Sequence, residues 1–256
     1  MTTRRWSLDD VVAAVPNGAT IALGGSGMQR KPMGLLRALV AAGITDLKVV
    51  SFLGAIDVEF LIASGAASEI HTAGVALEGV GLAPAYRRAR QEGVPRVVEW
   101  SEGSLHTALE AAARSLPSLP SMTSVASELV DTNPWLMVVP DPFEGTPVVQ
   151  VRALPVDVAL LHVSGADDAG NLYIDGDPGL DGLLARCAGT VIASATTVVP
   201  AEPRGADISR IWVDGVVELS RGAWPTGCLP HERVDSGVVR AWASDQAVDA
   251  LREEPA

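Results

Sequence analysis

The feature that most constrains this chain is a junction near its start. Residues 17–32 read Asn-Gly-Ala-Thr-Ile-Ala-Leu-Gly-Gly-Ser-Gly-Met-Gln-Arg-Lys-Pro. Ile21-Ala22-Leu23 is a short apolar run that suits a buried strand. Gly24-Gly25-Ser26-Gly27 ends it, and Pro32 opens an amphipathic helix over 32–42, where proline's fixed φ suits a first helical position. Strand, glycine loop and helix then recur in looser form along the chain. Short strands alternating with helices at close spacing predict an open, mostly parallel α/β sheet flanked by helices.

Helices are expected over 7–15, with Ser7 as N-cap ahead of Asp9 and Asp10, and over 58–63, 83–91, 103–115, 180–187 and 236–251. Strands are expected over 20–23, 47–52, 69–73, 96–100, 135–139, 148–153, 172–174, 191–199 and 211–219. The strongest buried strand is Val156 to Val163, Val-Asp-Val-Ala-Leu-Leu-His-Val. Residues 116–132 are rich in Pro, Ser and Thr, but apolar residues recur throughout, so they read as an ordered excursion. The expected organisation is one domain over residues 1–250 with a short tail, 251–256.

Composition narrows the function classes. A net charge of −12 argues against nucleic acid or an anionic membrane as partner. No run approaches the roughly 18 consecutive apolar residues that span a bilayer. The N-terminus, Met-Thr-Thr-Arg-Arg-Trp-Ser, has no apolar core, so a secretory leader is not expected and the cytoplasm is. Cys187 and Cys228 form no disulfide framework and read as small buried or half-buried side chains.

Glycines at a strand end serve either as a plain turn or as a place where backbone approaches a ligand closely. The loop lacks the Gly-Lys-Ser/Thr of nucleotide hydrolases and fits no dinucleotide fingerprint. The chain has only two lysines, Lys31 and Lys48, and Lys31 adjoins the loop beside Arg30. That places scarce positive charge near a helix start that favours anions, though a solvated helix start reads the same way. His71, His106, His162 and His231 show no metal spacing, and His162, within an apolar strand, reads as a core histidine. Asp167, Asp168, Asp175, Asp177 and Asp181 do not follow a calcium-loop pattern and read as solvated turns. No Gly-x-Ser-x-Gly elbow is present.

Asn17-Gly18, Ile21-Ala22-Leu23, Gly24-Gly25 and Pro32 together resemble the N-terminal signature of family I coenzyme A transferase alpha subunits, with Ser26 and Arg30 standing where that family has Phe and Gly. Residues 155–163 followed by Ala166-Asp167 and Gly170-Asn171 resemble the family's strand and its Ala-Asp-x-x-Gly-Asn turn. Gly222-Ala223-Trp224-Pro225-Thr226 resembles a Gly-Ala-His-Pro-Thr segment of the glutaconate branch, with Trp for His, and Thr196 stands where the family strand carries Glu. The resemblance implies an acyl-CoA thioester as substrate with no permanently bound cofactor or metal. It also implies a beta subunit in an α2β2 assembly, whose glutamate attacks the thioester. Gly24, Gly25, Ser26, Gly27, Arg30 and Lys31 are then the candidate substrate- or CoA-binding set.

Residues 99–105, Glu-Trp-Ser-Glu-Gly-Ser-Leu, resemble the family's Pro-Gln-Gly-Thr-Leu segment with Glu102 in place of a glutamine that faces the reacting centre. This substitution resembles the alpha subunits of an actinobacterial steroid-degrading offshoot that opens a ring in a CoA thioester by hydrolysis. Arg30-Lys31-Pro32-Met33 and Leu116-Pro117-Ser118-Leu119-Pro120 also resemble that offshoot. Glu102 is therefore the candidate catalytic base, since a carboxylate walled in by apolar groups can take a proton near neutral pH. An ordinary acidic residue in a first helical turn is the other reading. His106, four residues on, shares a helix face with it. The function expected is transfer of CoA to a carboxylate acceptor. The alternatives are ring-opening hydrolysis with Glu102 as base, or a non-catalytic subunit that binds a CoA ligand.

Overall fold

A computed structural model describes residues 5–200, 204–245 and 251. The first half runs α1 (Leu8–Ala14), β1 (Thr20–Leu23), α2 (Met33–Ala41), β2 (Leu47–Ser51), α3 (Ile56–Ala63), β3 (Ala67–Thr72), a small hairpin of β4 (Ala76–Leu77) and β5 (Gly81–Leu82), α4 (Pro84–Glu92), β6 (Arg96–Glu99) and α5 (Glu102–Ala113). The second half runs β7 (Ser118–Ser121), α6 (Leu129–Thr132), β8 (Leu136–Pro140), β9 (Pro147–Arg152), β10 (Val156–Asp167), β11 (Leu172–Tyr173), α7 (Asp181–Cys187), β12 (Ala188–Val199), β13 (Gly215–Glu218) and α8 (Ser236–Asp245).

The central sheet has the order β13-β12-β10-β1-β2-β3-β6, and every neighbouring pair on that path is parallel. β11 adds an antiparallel strand to β10. Strand periodicity sorts side chains between two cores. Ile21, Leu23 and Leu160 pack with α1, α2 and α3 on one face. Ala22, Ala159 and Leu161 pack with α5, α7 and the small antiparallel sheet β7-β9-β8 on the other. Apolar helices on both faces explain why the central strands carry nearly continuous hydrophobic runs.

The expected open parallel sheet flanked by helices is the fold observed. Ser7 caps α1 and closes a capping box with Asp10. Pro32 sits one residue earlier than expected, as the N-cap of α2. Three local expectations are corrected. Residues 210–212 form a 3-10 turn rather than the start of a strand, because strand pairing to β12 begins only at Gly215, and Ile211 and Trp212 stay exposed. β10 runs on to Asp167, held by pairing to β12 along its length. The hairpin of β4 and β5 was not foreseen, since two-residue strands leave no periodic signal. Beyond Asp245, the expected end of α8 and the tail fall largely outside the described residues.

Candidate functional site

The chain leaves β1 toward β2, β3 and β6 on one side, and reaches β12 and β13 through β10 on the other. The strand order therefore reverses between β1 and β10. In an open parallel sheet this reversal leaves a crevice at the carboxyl ends of the strands, where ligands bind. The glycine loop lies at that point, immediately after Leu23.

Each glycine there has a steric reason. A methyl at Gly24 would meet Leu161 and Asp181, at 2.7 and 2.9 Å. At Gly25, φ +72°, it would meet the backbone of Gln29 and Arg30, and at Gly27, φ +52°, the carboxylate of Glu78. The loop's amides are engaged within the protein. Gly24 N–H donates to Leu160 O, Ser26 N–H to Gln29 O and Gly27 N–H to Leu53 O, while Gly25 N–H donates to Asp181 Oδ1 at 2.8 Å. The helix start is engaged too, since Gly34 N–H donates to Gly222 O. Ser26 and Gln29, both half-buried, line a cleft of about 220 Å³ with Arg30, Asp175, Gly176, Asp177 and Leu229.

The basic pair is not a solvated helix start. Arg30 and Lys31 are both buried, and each meets a buried carboxylate. The Arg30 guanidinium pairs with Asp181 and donates to Asp177 O at 2.6 Å. Lys31 Nζ lies 3.2 Å from both Asp57 Oδ2 and Ser51 Oγ, and Asp57 also accepts from Ser51 Oγ and Ala55 N–H. These pairs brace the loop: Asp181 ties Gly25 and Arg30 to the start of α7, and Asp57 ties Lys31 to the start of α3. Arg30 adopts φ 53°, a region costly for a residue with a side chain, and its amide donates to Gly227 O at 2.7 Å. The reading of Asp181 as a solvated turn residue is thereby corrected. Sequence offered no signal for it, because its partners lie about 150 residues earlier.

Glu102 is the first residue of α5. Ser101 caps the helix, its Oγ accepting from Ser104 N–H, and Ser124 Oγ lies 3.0 Å from the cap hydroxyl. The cap fixes the helix start at the carboxyl edge of the sheet, just beyond β6. Glu102 is exposed there and has no hydrogen-bond or ion partner among the described residues. His106, also exposed, lies one turn further along α5 and lines a cleft of about 580 Å³. Ile174, Leu183, Ile208 and Trp212 supply apolar wall there, and Arg186 and Ser209 supply polar groups. Residues 175–179 form the ridge between the two clefts, with a methyl at Gly179 falling 3.8 Å from Ser26 Cβ.

His162 is a core histidine, as expected. Its Nδ1 lies 2.9 Å from Ser194 Oγ and its Nε2 3.3 Å from Thr196 Oγ1, and burial pushes its imidazole down to about 3. Thr196, at the family's Glu position, therefore serves this buried network. Cys228 is buried and Cys187 half-buried, and burial pushes both thiols up, Cys187 to about 12, so neither is a ready nucleophile. Among the described residues, no group of three or more His, Cys, Asp or Glu is placed to hold a metal ion, and no helix is long and apolar enough to cross a membrane.

Comparison with known proteins agrees with the sequence resemblance. Residues 5–218 match the coenzyme A transferase family. The cholesterol ring-cleaving hydrolase IpdA subunit of Rhodococcus jostii (strain RHA1) is 34% identical over 86% of this chain and 79% of its own. The corresponding component of glutaconate CoA-transferase from Acidaminococcus fermentans is 30% identical over 87% of this chain and 77% of its own. A crystal structure of a variant of the decarboxylase AibA/AibB superimposes with a TM-score of 0.90 at 36% identity, covering 98% of each chain. With matched sequence over most of its length and the same fold throughout, this chain belongs to the coenzyme A transferase family.

Proposed function

We propose that this chain is the alpha-type component of a two-component enzyme acting on acyl-CoA thioesters, and that Glu102 is the carboxylate it presents to the reacting centre. One observation carries the reading: an exposed, unpartnered glutamate is fixed by a capped helix start at the carboxyl edge of a parallel sheet, one turn from a residue lining a ligand-sized cleft. A beta-type partner, in an α2β2 assembly in the cytoplasm, closes the site. The CoA thioester is substrate, and no cofactor is resident. In the transfer reaction the partner's glutamate attacks the thioester and carries the CoA. Glu102 orients the acyl group, and Ser26 with the braced glycine loop forms part of the substrate wall.

A second reading is favoured by Glu102 itself, which stands where transferases of this kind have glutamine, and by the 34% identity to a ring-cleaving hydrolase component. Here Glu102 takes a proton from water, and the water oxygen attacks a ring carbonyl of a cyclic CoA thioester. The carbon–carbon bond breaks, and the proton returns to the released carbon.

One experiment separates the two readings. The chain is co-expressed with its beta-type partner and given a panel of acyl-CoA thioesters with and without a carboxylate acceptor. Acceptor-dependent exchange with a trapped partner thioester establishes transfer. Acceptor-independent consumption with water uptake, falling roughly 100- to 10,000-fold in Glu102→Gln, establishes hydrolysis through this chain. Full activity of Glu102→Gln on every substrate turned over removes Glu102 from the site.

A further inference from the structure

The smaller cleft, of about 220 Å³, lies at the reversal of strand order, and Gln29 is set in its wall. The backbone there is clamped. Gln29 N–H donates to Ser26 O at 3.0 Å and Ser26 N–H to Gln29 O at 3.1 Å. The residues on either side of Gln29 bond to Gly227, whose N–H donates to Met28 O at 2.9 Å and whose O accepts from Arg30 N–H at 2.7 Å. The side chain is laid against the same glycine. A methyl at Gly227 would lie 2.9 Å from Gln29 Oε1 and 3.1 Å from Nε2. The backbone of Gly227 lies outside the left-handed region, so what a side chain would disturb there is the Gln29 carboxamide.

That carboxamide has no partner within the chain. Gln29 is half-buried, and neither its side chain nor that of Ser26 makes a hydrogen bond among the described residues. The cations around the cleft are neutralised. Arg30 pairs with Asp181 and donates to Asp177 O, and Arg204 meets Asp175 at 2.9 Å, which leaves Asp177 without an ion pair among the described residues. A cleft with a surplus carboxylate repels a phosphate or a second carboxylate and admits a neutral polar group. A carboxamide offers N–H donors and a C=O acceptor side by side, the pattern complementary to a secondary amide. The Ser26 hydroxyl adds a further polar contact, and Leu229 supplies an apolar wall for methylene groups. An acyl-CoA carries secondary amides, joined by methylenes, in its pantetheine arm, one of them close to the sulfur.

We propose that Gln29 is a substrate-binding residue, whose carboxamide pairs with a secondary amide of the pantetheine arm in the smaller cleft, with Ser26 beside it. The inference rests on the acyl-CoA reading above and adds the residue that recognises the carrier. The acyl group then lies across the ridge of residues 175–179, in the larger cleft lined by His106 one turn along α5 from Glu102.

The test uses the complex of this chain with its beta-type partner, given one acid as its thioesters with CoA, pantetheine, N-acetylcysteamine and ethanethiol. All but the ethyl thioester carry a secondary amide near the sulfur. Gln29→Leu keeps the bulk of the side chain and removes its hydrogen bonds. It is expected to raise KM for the amide-bearing thioesters by a common factor, roughly five- to fiftyfold, with little change in kcat, and to narrow their advantage over the ethyl thioester by that factor. Gly227→Ala pushes the carboxamide aside, so it raises KM for the same thioesters in the wild-type background and adds nothing in Gln29→Leu. An unchanged KM for the amide-bearing thioesters in Gln29→Leu overturns the proposal, and so does an equal rise for the ethyl thioester or a rise confined to CoA itself. Each of these leaves the acyl-CoA reading in place. A wild-type complex that neither binds nor turns over any CoA thioester overturns the acyl-CoA reading, and this inference with it.

Discussion

His162 is wholly enclosed, and its ring is neutral because burial and the nearby Arg30 oppose a charge there. The cost of charging it sets a pH dependence. In the unfolded chain the imidazole takes up a proton below about pH 6.5, whereas in the fold it does so only near 3. Between those values the unfolded state binds more protons, so the stability tied to this residue is present above pH 6.5 and is lost as pH falls. Burial lowers His71 in the same sense. Urea titrations between pH 6.5 and 4.5, above the carboxylate range, are expected to show stability declining by up to about 1.4 kcal/mol per pH unit for each such histidine. His162→Gln is expected to flatten that slope, and an unchanged slope would mean that His162 titrates freely. The histidine's core role was legible from its apolar strand. The pairing of Arg30 and Lys31 with Asp181 and Asp57 was not, because a charge beside a glycine loop reads alike whether solvent or a distant carboxylate receives it.

Helices and strands were more legible than single charges. β1 has the boundaries expected of its apolar run, and α1 is marked by Ser7 and Asp10. What periodicity does not convey is how one element holds another. Glu59, on α3, is buried and accepts from Ala85 N–H and Tyr86 N–H in the first turn of α4 and from Trp242 Nε1 on α8. A single carboxylate thus supplies the cap that α4's own N-cap residue, Ala83, lacks. Glu59→Ala orphans two buried donors and a half-buried one, and is expected to cost about 2–4 kcal/mol in chemical denaturation, with Glu59→Gln intermediate. A loss below about 0.5 kcal/mol in the alanine variant would show that water replaces the carboxylate without penalty.

At the scale of the molecule, the sheet's order of strands matters most. Because the chain departs from β1 in one direction and returns through β10 on the other side, the glycine loop, Ser26 and the two clefts converge on one edge, with Glu102 on the same edge beyond β6. The outer surface also carries unburied apolar groups, among them Phe143 at 94% exposure in the turn between β8 and β9, and Met137 on β8 itself. A chain that completes its site with a partner is expected to self-associate when expressed alone and to form a defined complex when co-expressed. Light scattering on both preparations checks this, and a well-behaved isolated monomer would argue against an obligate partner.

The sequence by itself determined the alternation of strand and helix, the glycine turn that ends β1 and the family to which the chain belongs. These depend on local periodicity, on caps and glycines a few residues apart, and on motifs read in order. Only the tertiary structure decided which carboxylates neutralise Arg30 and Lys31, and that Ser26 and Gln29 line one cleft with Asp175 and Asp177. Those facts arise from contacts between residues up to about 150 positions apart, and the sheet's order of strands, which no local pattern encodes, brings them together.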